Sequence, residues 1–584
     1  MAHMHYLFLP SVRPGNGTGH LRRSLRLAAK MNHEAKVSVY IPASEWRDEF
    51  SQFLIQEGLP ESIVVDNEEE LGRRNWDFTI WDRRETREDE FREWRSFGIP
   101  VGIDEGGAVR KQFPLLIDTF PLPASMGKPN IGDPAFLPHP EHRREPPERF
   151  DKVIISFGGE DPAHLTEKMT AWLLRKGGYP AESLSVVLGP LFGERVLPAG
   201  VHLLEAPENL SERLADYDLV CTSFGLTAYE AAAAGTGVIL FNPSAYHKSL
   251  SELAGFSEVG VHKIDSRKME NCLRNPLPHI PLLKKIIPSE PRSLSELLLS
   301  LSPPQVDTCP ACGFLGTVSV FREDARTFSR CSACGTMVQH DFSPREPAYN
   351  EEYFFAEYRQ QYGRTYLEDF DSIRGLARRR IKVIESMGVP EQALFLDVGC
   401  AYGPFLREAA ESGYRVEGLD VAESAVTYVR ETLGYEAHCG SFEEYSDGEG
   451  RFDIITMWFV IEHFSGTGEV LQKVYRLLKP GGILAFSTPN LTGISGRKDL
   501  RAFLHGSPRD HHIVWSPKIA QKVLADYGFT TERSIITGHH PERFLSPKRK
   551  VPAAVQTLFS LISRAAGLGD TFEIYARKNG GAHG

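Results

Sequence analysis

Short apolar runs alternate with amphipathic stretches through the first 300 residues, and the same alternation returns from Ala393 almost to the end. HYLFLP, KVSVYIP, FTIWD and IPVGID, then KVIISFGG, LSVVLGP, DLVCTSFG and GVILFNP, each have the length of one strand. Between them lie helical patterns such as HLRRSLRLAAKM, in which Leu21, Leu25 and Ala28 share a face. Alternation of this kind predicts an α/β fold, parallel sheets covered by helices on both sides. It breaks at PAFLPHPEHRREPPERF, residues 134–150, which is rich in proline and charge. The chain therefore divides into two doubly wound halves, 1–148 and 149–300, a linker with a small cysteine-bearing module, 301–345, and a third α/β domain, 346–584, that starts with an aromatic, helical-looking segment. A length of 584 residues also exceeds a single core.

Composition excludes several classes. Hydrophobic residues at 41% and charged residues at 24% are ordinary globular values. A net charge of −11 gives no general attraction to nucleic acid or anionic lipid, so no nucleic-acid partner is expected. There is no run of eighteen apolar residues, so no membrane span is expected and a peripheral contact stays open. The start, MAHMHYLFLP, lacks a charged leader region and reads as a first strand behind a cloning remnant. Of eight cysteines, four are scattered singly, at 221, 272, 400 and 439. No disulfide framework shows, so a reducing cytoplasm is expected.

The other four form CPACGFLGTVSVFREDARTFSRCSACG, with Cys309, Cys312, Cys331 and Cys334 as two Cys-x-x-Cys knuckles. Paired knuckles supply four thiolates for a tetrahedral zinc ion, which replaces the core that so short a segment cannot build. A closed four-thiolate shell has no open position, so such an ion is structural; an iron–sulfur cluster is the alternative. The segment carries Arg322, Arg326 and Arg330 against Glu323 and Asp324, with no dense basic patch for phosphate.

In the last third, the apolar strand of ALFLDVGCAYGPFL ends in Asp397-Val398-Gly399-Cys400-Ala401-Tyr402-Gly403, and a helix pattern follows. Glycines at such a turn let a ligand approach the backbone. The next strand, YRVEGLD, ends in Asp420, placed to accept both ribose hydroxyls of an adenosine-type ligand. The form D-V-G-C-A-Y-G resembles the first motif of class I S-adenosylmethionine-dependent methyltransferases. GSFEEY, FDIITMWFVIEHF and LLKPGGILAFSTPN follow in that family's order. The resemblance covers about residues 390–584 and implies a Rossmann-like domain with S-adenosylmethionine as cofactor. Asp397, Gly399, Cys400 and Gly403 would form the methionine-side loop, Asp420 would hold the ribose, and Ser441 and Phe442 would flank the adenine. Ala401 stands where many relatives have glycine.

Methyl transfer needs alignment of nucleophile, methyl and sulfur, and removal of a proton where necessary. Glu462 and His463, past the fourth strand, and His511 and His512, in SPRDHHIVWS, are the candidate bases; pocket-shaping and helix-capping are their alternative roles. A cysteine ribbon followed by YNEEYFFAEY and this core is similar to zinc-ribbon methyltransferases of sugar modification and surface-polysaccharide clusters. That likeness implies a ribbon bracing and covering the site, with Tyr349, Tyr353, Tyr358 and Tyr366 as candidate lining or packing residues.

GNGTGHLRRSLRLAAKM opens a helix behind the first strand, where free backbone N–H groups can hold a phosphate. With DLVCTSFGLTAYEAAAAGTGVILFNP it resembles the GT-B glycosyltransferases, nearest the peptidoglycan N-acetylglucosaminyltransferase and pseudaminic-acid UDP-sugar hydrolase types. By that resemblance a UDP- or CMP-linked sugar lies between the halves. Gly17, Gly19, Gly158, Ser223, Gly225, Thr227 and Glu230 would bind it, and His20 would be the base. Glu160 and the loop NPSAYHKSL, with Tyr246 and His247, depart from the pattern. The combined expectation is a bifunctional protein that methylates a sugar or glycan intermediate and transfers or hydrolyses a nucleotide sugar. The rivals are a methyltransferase with a non-catalytic glycan-binding module, and an RNA or protein methyltransferase with a zinc-ribbon reader.

Overall fold

The computed structural model describes residues 4–13, 18–46, 48–137, 139–193, 195–207, 209–274, 291–344, 359, 363–540, 543 and 553–580. The chain forms two compact units, Met1–Pro303 with Arg322–Ala325, and Pro304–Phe321 with Arg326–Gly584.

The first unit holds two parallel sheets. One comprises β1 (His5–Phe8), β2 (Lys36–Tyr40), β3 (Val64–Val65), β4 (Phe78–Asp82), β5 (Ile99–Ile103), β6 (Leu115–Asp118) and β7 (Ile131–Gly132), ordered β3-β2-β1-β4-β5-β6-β7. The other comprises β8 (Val153–Ile155), β9 (Leu184–Leu188), β10 (His202–Glu205), β11 (Leu219–Thr222), β12 (Gly237–Asn242) and β13 (Ser257–Val261), ordered β10-β9-β8-β11-β12-β13. Their central strands are continuous apolar runs because helices cover both faces. All five residues of β4, for instance, are buried. In each sheet the order reverses beside the first strand, β1 against β4 and β8 against β11. Such a reversal opens a crevice at the carboxyl ends of the strands, where ligands of open α/β sheets bind. Between Leu137 and β8 the described residues form neither helix nor strand, as the proline- and charge-rich sequence predicts.

The small sheet beside the cysteine knuckles comprises β14 (Thr317–Glu323), β15 (Arg326–Cys331) and β16 (Met337–Asp341). The parallel core follows as β17 (Leu394–Val398), β18 (Arg415–Asp420), β19 (Glu436–Cys439), β20 (Phe452–Trp458) and β21 (Leu478–Pro489). Strand β22 (Ile513–Val514) leaves this sheet and pairs antiparallel with β16, extending the small sheet to β14-β15-β16-β22. Finally β23 (Phe529–Thr537) and β24 (Thr571–Lys578) return antiparallel, giving the order β19-β18-β17-β20-β21-β24-β23. One apolar core joins the cysteine module to the large sheet: Cys309, Cys331 and Cys334 pack in the same cluster as Leu396, Met457, Phe486 and Trp515.

Candidate functional site

The switch point of the C-terminal sheet lies between β17 and β20. After β17 the chain turns through Gly399 (φ 72°), Ala401 (φ 46°) and Gly403 (φ 76°) into the helix Pro404–Glu411. A Cβ at Gly399 would collide with Val460 Cγ2, so glycine is required there. Ala401 holds a left-handed conformation that alanine rarely adopts. Asp420 stabilises it, accepting from Ala401 N (2.8 Å) and Ala422 N (2.9 Å) with different oxygens. A carboxylate has about four acceptor sites, so each oxygen keeps capacity for a ligand hydroxyl.

Asp397 sits beneath this turn, buried, and accepts from Thr456 Oγ1 at 2.6 Å. Burial pushes its carboxyl up to about 7, against the Thr456 hydrogen bond and the charge of Arg380. Cys400 is buried with its sulfur against the Gly418 backbone, which leaves only its main chain for the turn. Phe442 is also buried, its ring stacked with Tyr445, whereas Ser441 is half-buried and its hydroxyl accepts from Glu444 N. Two apolar side chains that sequence reasoning passed over stand at the same edge: Val421, 52% exposed after β18, and Phe459, 42% exposed after β20. Phe459 has φ 59°, a strained value for a bulky residue. Ordinary apolar composition gives neither residue a sequence signal.

Beside the turn, four side chains from two distant segments converge. Glu462 is fully buried; neither carboxylate oxygen makes a hydrogen bond of ordinary geometry among the described residues, with the Thr488 side chain the nearby group that favours its anion. One oxygen of Glu462 and one ring nitrogen each of His463 and His511 lie within 4.8 Å of one another. The rings of His463 and His511 meet edge to face at 4.6 Å. His463 Nδ1 is 3.0 Å from Asp510 Oδ2, a partner the sequence did not single out. Burial raises Glu462 to about 7 and drives His511 down to about 3. Burial also opposes charge on His463, but the Asp510 hydrogen bond and the Glu462 carboxylate outweigh it and raise its pKa. At neutral pH the cluster therefore combines a neutral imidazole with a carboxyl near its midpoint, a proton acceptor suited to a hydroxyl substrate.

The cysteine module holds that cluster in place. His512 N donates to Glu462 O at 2.8 Å, and Gln339 N of β16 donates to His512 O at 3.0 Å. Trp515 Nε1 donates to Thr336 Oγ1, and Tyr527 Oη donates to Ala311 O. The four sulfurs lie within 4.8 Å of one another, with Cys309–Cys334 and Cys312–Cys331 both at 3.6 Å. A tetrahedral shell of Zn–S bonds of about 2.3 Å has edges of about 3.8 Å, so the thiols fit a zinc ion. Tyr366 packs its ring 6.0 Å from Tyr402; Tyr349, Tyr353 and Tyr358 lie outside the described residues.

Residues 373–534 match the family model described as "Methyltransferase domain". The C-terminal unit contains a methyltransferase domain. Among curated relatives, the ubiquinone biosynthesis O-methyltransferase of Hydrogenovibrio crunogenus is 30% identical over 128 residues, 21% of this chain and 53% of the relative. That of Thiobacillus denitrificans is 26% identical over 178 residues, 28% of this chain and 76% of the relative. The chain spans about half the length of the curated relatives it matches first. A solved SAM-dependent methyltransferase from Archaeoglobus fulgidus aligns over 38% of this chain and 100% of that one, at 18% identity and a TM-score of 0.29. In the methyltransferase domain the glycine turn, Asp420 and the Glu462 cluster share the carboxyl edge of the parallel strands.

The first unit has a second candidate site, a cavity of about 1160 Å³ lined by loops from both sheets. Gly159 and Thr18 approach so closely that a Cβ on the glycine would collide with the threonine hydroxyl. Gly19, His20, Gly158, Ser223, Gly225, Thr227 and Glu230 all line the cavity, and Gly17 lies outside the described residues. His20 Nδ1 is 2.7 Å from Asp82 Oδ1 at the end of β4, and its side chain is 21% exposed. Arg23 bridges Asp82 and Asp104. Burial disfavours the Asp82 anion, but the Arg23 guanidinium and His20 hold its carboxyl well below the usual range. Asp104 is an anchor: it accepts from Thr119 N, Phe120 N and Arg23. Glu230 is buried 3.7 Å from Arg26. His247 lines the cavity too, its Nδ1 2.7 Å from Ser244 Oγ, and burial lowers it to about 4.

Proposed function

We propose that this protein is a bifunctional enzyme of glycan biosynthesis, in which the C-terminal unit methylates a sugar hydroxyl with S-adenosylmethionine. The reading is carried by one observation: a fully buried, unpaired Glu462 and a neutral His511 stand at the sheet edge that also bears the Asp420 turn. S-adenosylmethionine, when bound, supplies a methyl group on a sulfonium leaving group. The turn Gly399–Gly403 and Asp420 hold the cofactor, with Val421 and Ser441 at its edge. Glu462 takes the hydroxyl proton as the oxygen attacks, and His463, held by Asp510, keeps the cluster oriented. The two named relatives are O-methyltransferases, which favours an oxygen over a carbon acceptor. Zinc held by Cys309, Cys312, Cys331 and Cys334 braces β16, and β16 in turn holds the segment that carries His511 and His512.

The N-terminal unit, in this reading, has a GT-B arrangement and handles a UDP- or CMP-linked sugar. His20, oriented by Asp82, is positioned as its base. The glycan-binding alternative shares the same cavity and differs in needing no base; the buried His20–Asp82–Arg23 network favours catalysis. Calorimetric titration of the purified protein with S-adenosylhomocysteine, UDP and CMP tests both halves. S-adenosylhomocysteine and one nucleotide are expected to bind independently. Failure of S-adenosylhomocysteine to bind overturns the methyl-transfer reading, and failure of both nucleotides overturns the sugar-nucleotide reading.

A further inference from the structure

A third cluster of ligating groups lies on the outer strands of the methyltransferase sheet. Glu417 of β18 and Glu436 of β19 are register partners, so their side chains leave the sheet side by side. His438, two residues on, shares that face. Like charges directly opposite on neighbouring strands repel, and the cation nearby relieves the pair only in part. Arg451 contacts Glu417 through Oε1 only, and its charge is also matched by Asp447. Glu417 is 2% exposed, yet its Oε2 has no partner among the described residues. His438 Nε2 is likewise buried and without a hydrogen bond, 3.7 Å from Glu436 Oε1. A carboxylate oxygen of each glutamate and a ring nitrogen of His438 fall within 4.8 Å of one another.

Two buried atoms without a hydrogen bond, on two members of a group of three close ligating side chains, call for a missing partner. We propose that Glu417, Glu436 and His438 bind a divalent transition-metal ion of the manganese or zinc type. Two carboxylates and an imidazole form a mixed oxygen–nitrogen set that suits these ions. The half-exposed side of Glu436 and His438 leaves room for water to complete the shell. The ion neutralises the opposed carboxylates and ties the edge strand β19 to β18. Burial pushes the Glu417 carboxyl up, as expected for an anion short of countercharge.

The test is a titration of the purified full-length protein with manganese chloride, reading free manganese by electron paramagnetic resonance. Thiolates disfavour manganese, so the four-cysteine site does not compete. One manganese site is expected in the wild type. It is lost in Glu436→Lys, which places a fixed positive charge between the same neighbours, weakened at least tenfold in His438→Ala, and kept in His511→Ala. An unchanged melting temperature of metal-free Glu436→Lys shows that the loss is not unfolding. The proposal is overturned if the wild type binds no manganese, if Glu436→Lys binds it as the wild type does, or if His511→Ala abolishes it.

Discussion

Glu462 and Asp397 are both buried carboxyls, one just past the end of β20 and the other near the end of β17, and both are pushed up to about 7 by burial. They do different work. Glu462 makes no hydrogen bond of ordinary geometry among the described residues, so its ionised form is reactive; Asp397 is tied to Thr456 and supports the turn above it. If Glu462 is the base, kcat/KM for methyl transfer rises with pH through about 7 and levels above it. Glu462→Gln should lose about 10²–10⁴-fold in rate and flatten that limb, which a pH–rate profile will show. Asp397 has a linkage consequence for the protein without cofactor. Its folded pKa lies above the unfolded value near 3.9, so the stability tied to its protonated form is complete below about pH 4 and is lost as pH rises through about 7. Asp397→Asn, which can still accept from Thr456, should weaken the fall in melting temperature across that window. Sequence marked Asp397 for the cofactor loop and Glu462 as a candidate base, but it gave neither residue's burial nor its partners. Their pKa values follow from burial and from neighbours on other segments, Thr456 of β20 and Arg380 for Asp397, and His463, Thr488 and Asp510 for Glu462.

At the scale of elements, the glycine turn and the cysteine module place the chemistry. Gly399 combines a left-handed φ with a Cβ position already filled by Val460. Gly399→Ala should cost about 1–3 kcal/mol in urea unfolding and weaken S-adenosylhomocysteine, since the turn must move to accept the methyl. If the four cysteines hold zinc as proposed, its removal should act at a distance. The module reaches Glu462 through β16, Gln339 and His512, so its collapse releases β22 and the His511 segment. Cys331→Ser, or chelation, is therefore expected to lower kcat together with the melting temperature, while S-adenosylhomocysteine, held at β17 and β18, loses much less affinity. Equal losses of both would show that the module supports the whole domain rather than the histidine segment. The strands themselves were legible from their apolar runs, and the helix Gly19–Met31 from its period. The two-residue strand β22 was not, because its place is decided by β16, a partner far earlier in the chain.

For the whole molecule, the two compact units each carry a candidate site with its own core and its own switch points. Their chemistry is then separable. If the N-terminal cavity turns over a nucleotide sugar as proposed, His20→Asn should abolish that turnover and leave S-adenosylhomocysteine affinity within about twofold, the range expected for sites that share no residues. Among the described residues no helix is long and apolar enough to cross a membrane.

The alternation of strands and helices, the knuckle spacing and the glycine-acid pairs are local or periodic signals, and they determined the α/β class, the four-cysteine set and the candidates at each turn. Only the tertiary structure decided which of these candidates meet. Asp82 joins His20 because β4 lies next to β1 across a crossover. Asp510 and His511 join Glu462 and His463 because β22 abandons the large sheet for the cysteine module. Likewise, Glu417 faces Glu436 and His438 only through strand register. Pairings of this kind depend on side-chain contacts between distant stretches of chain, and no period or spacing within one stretch encodes them.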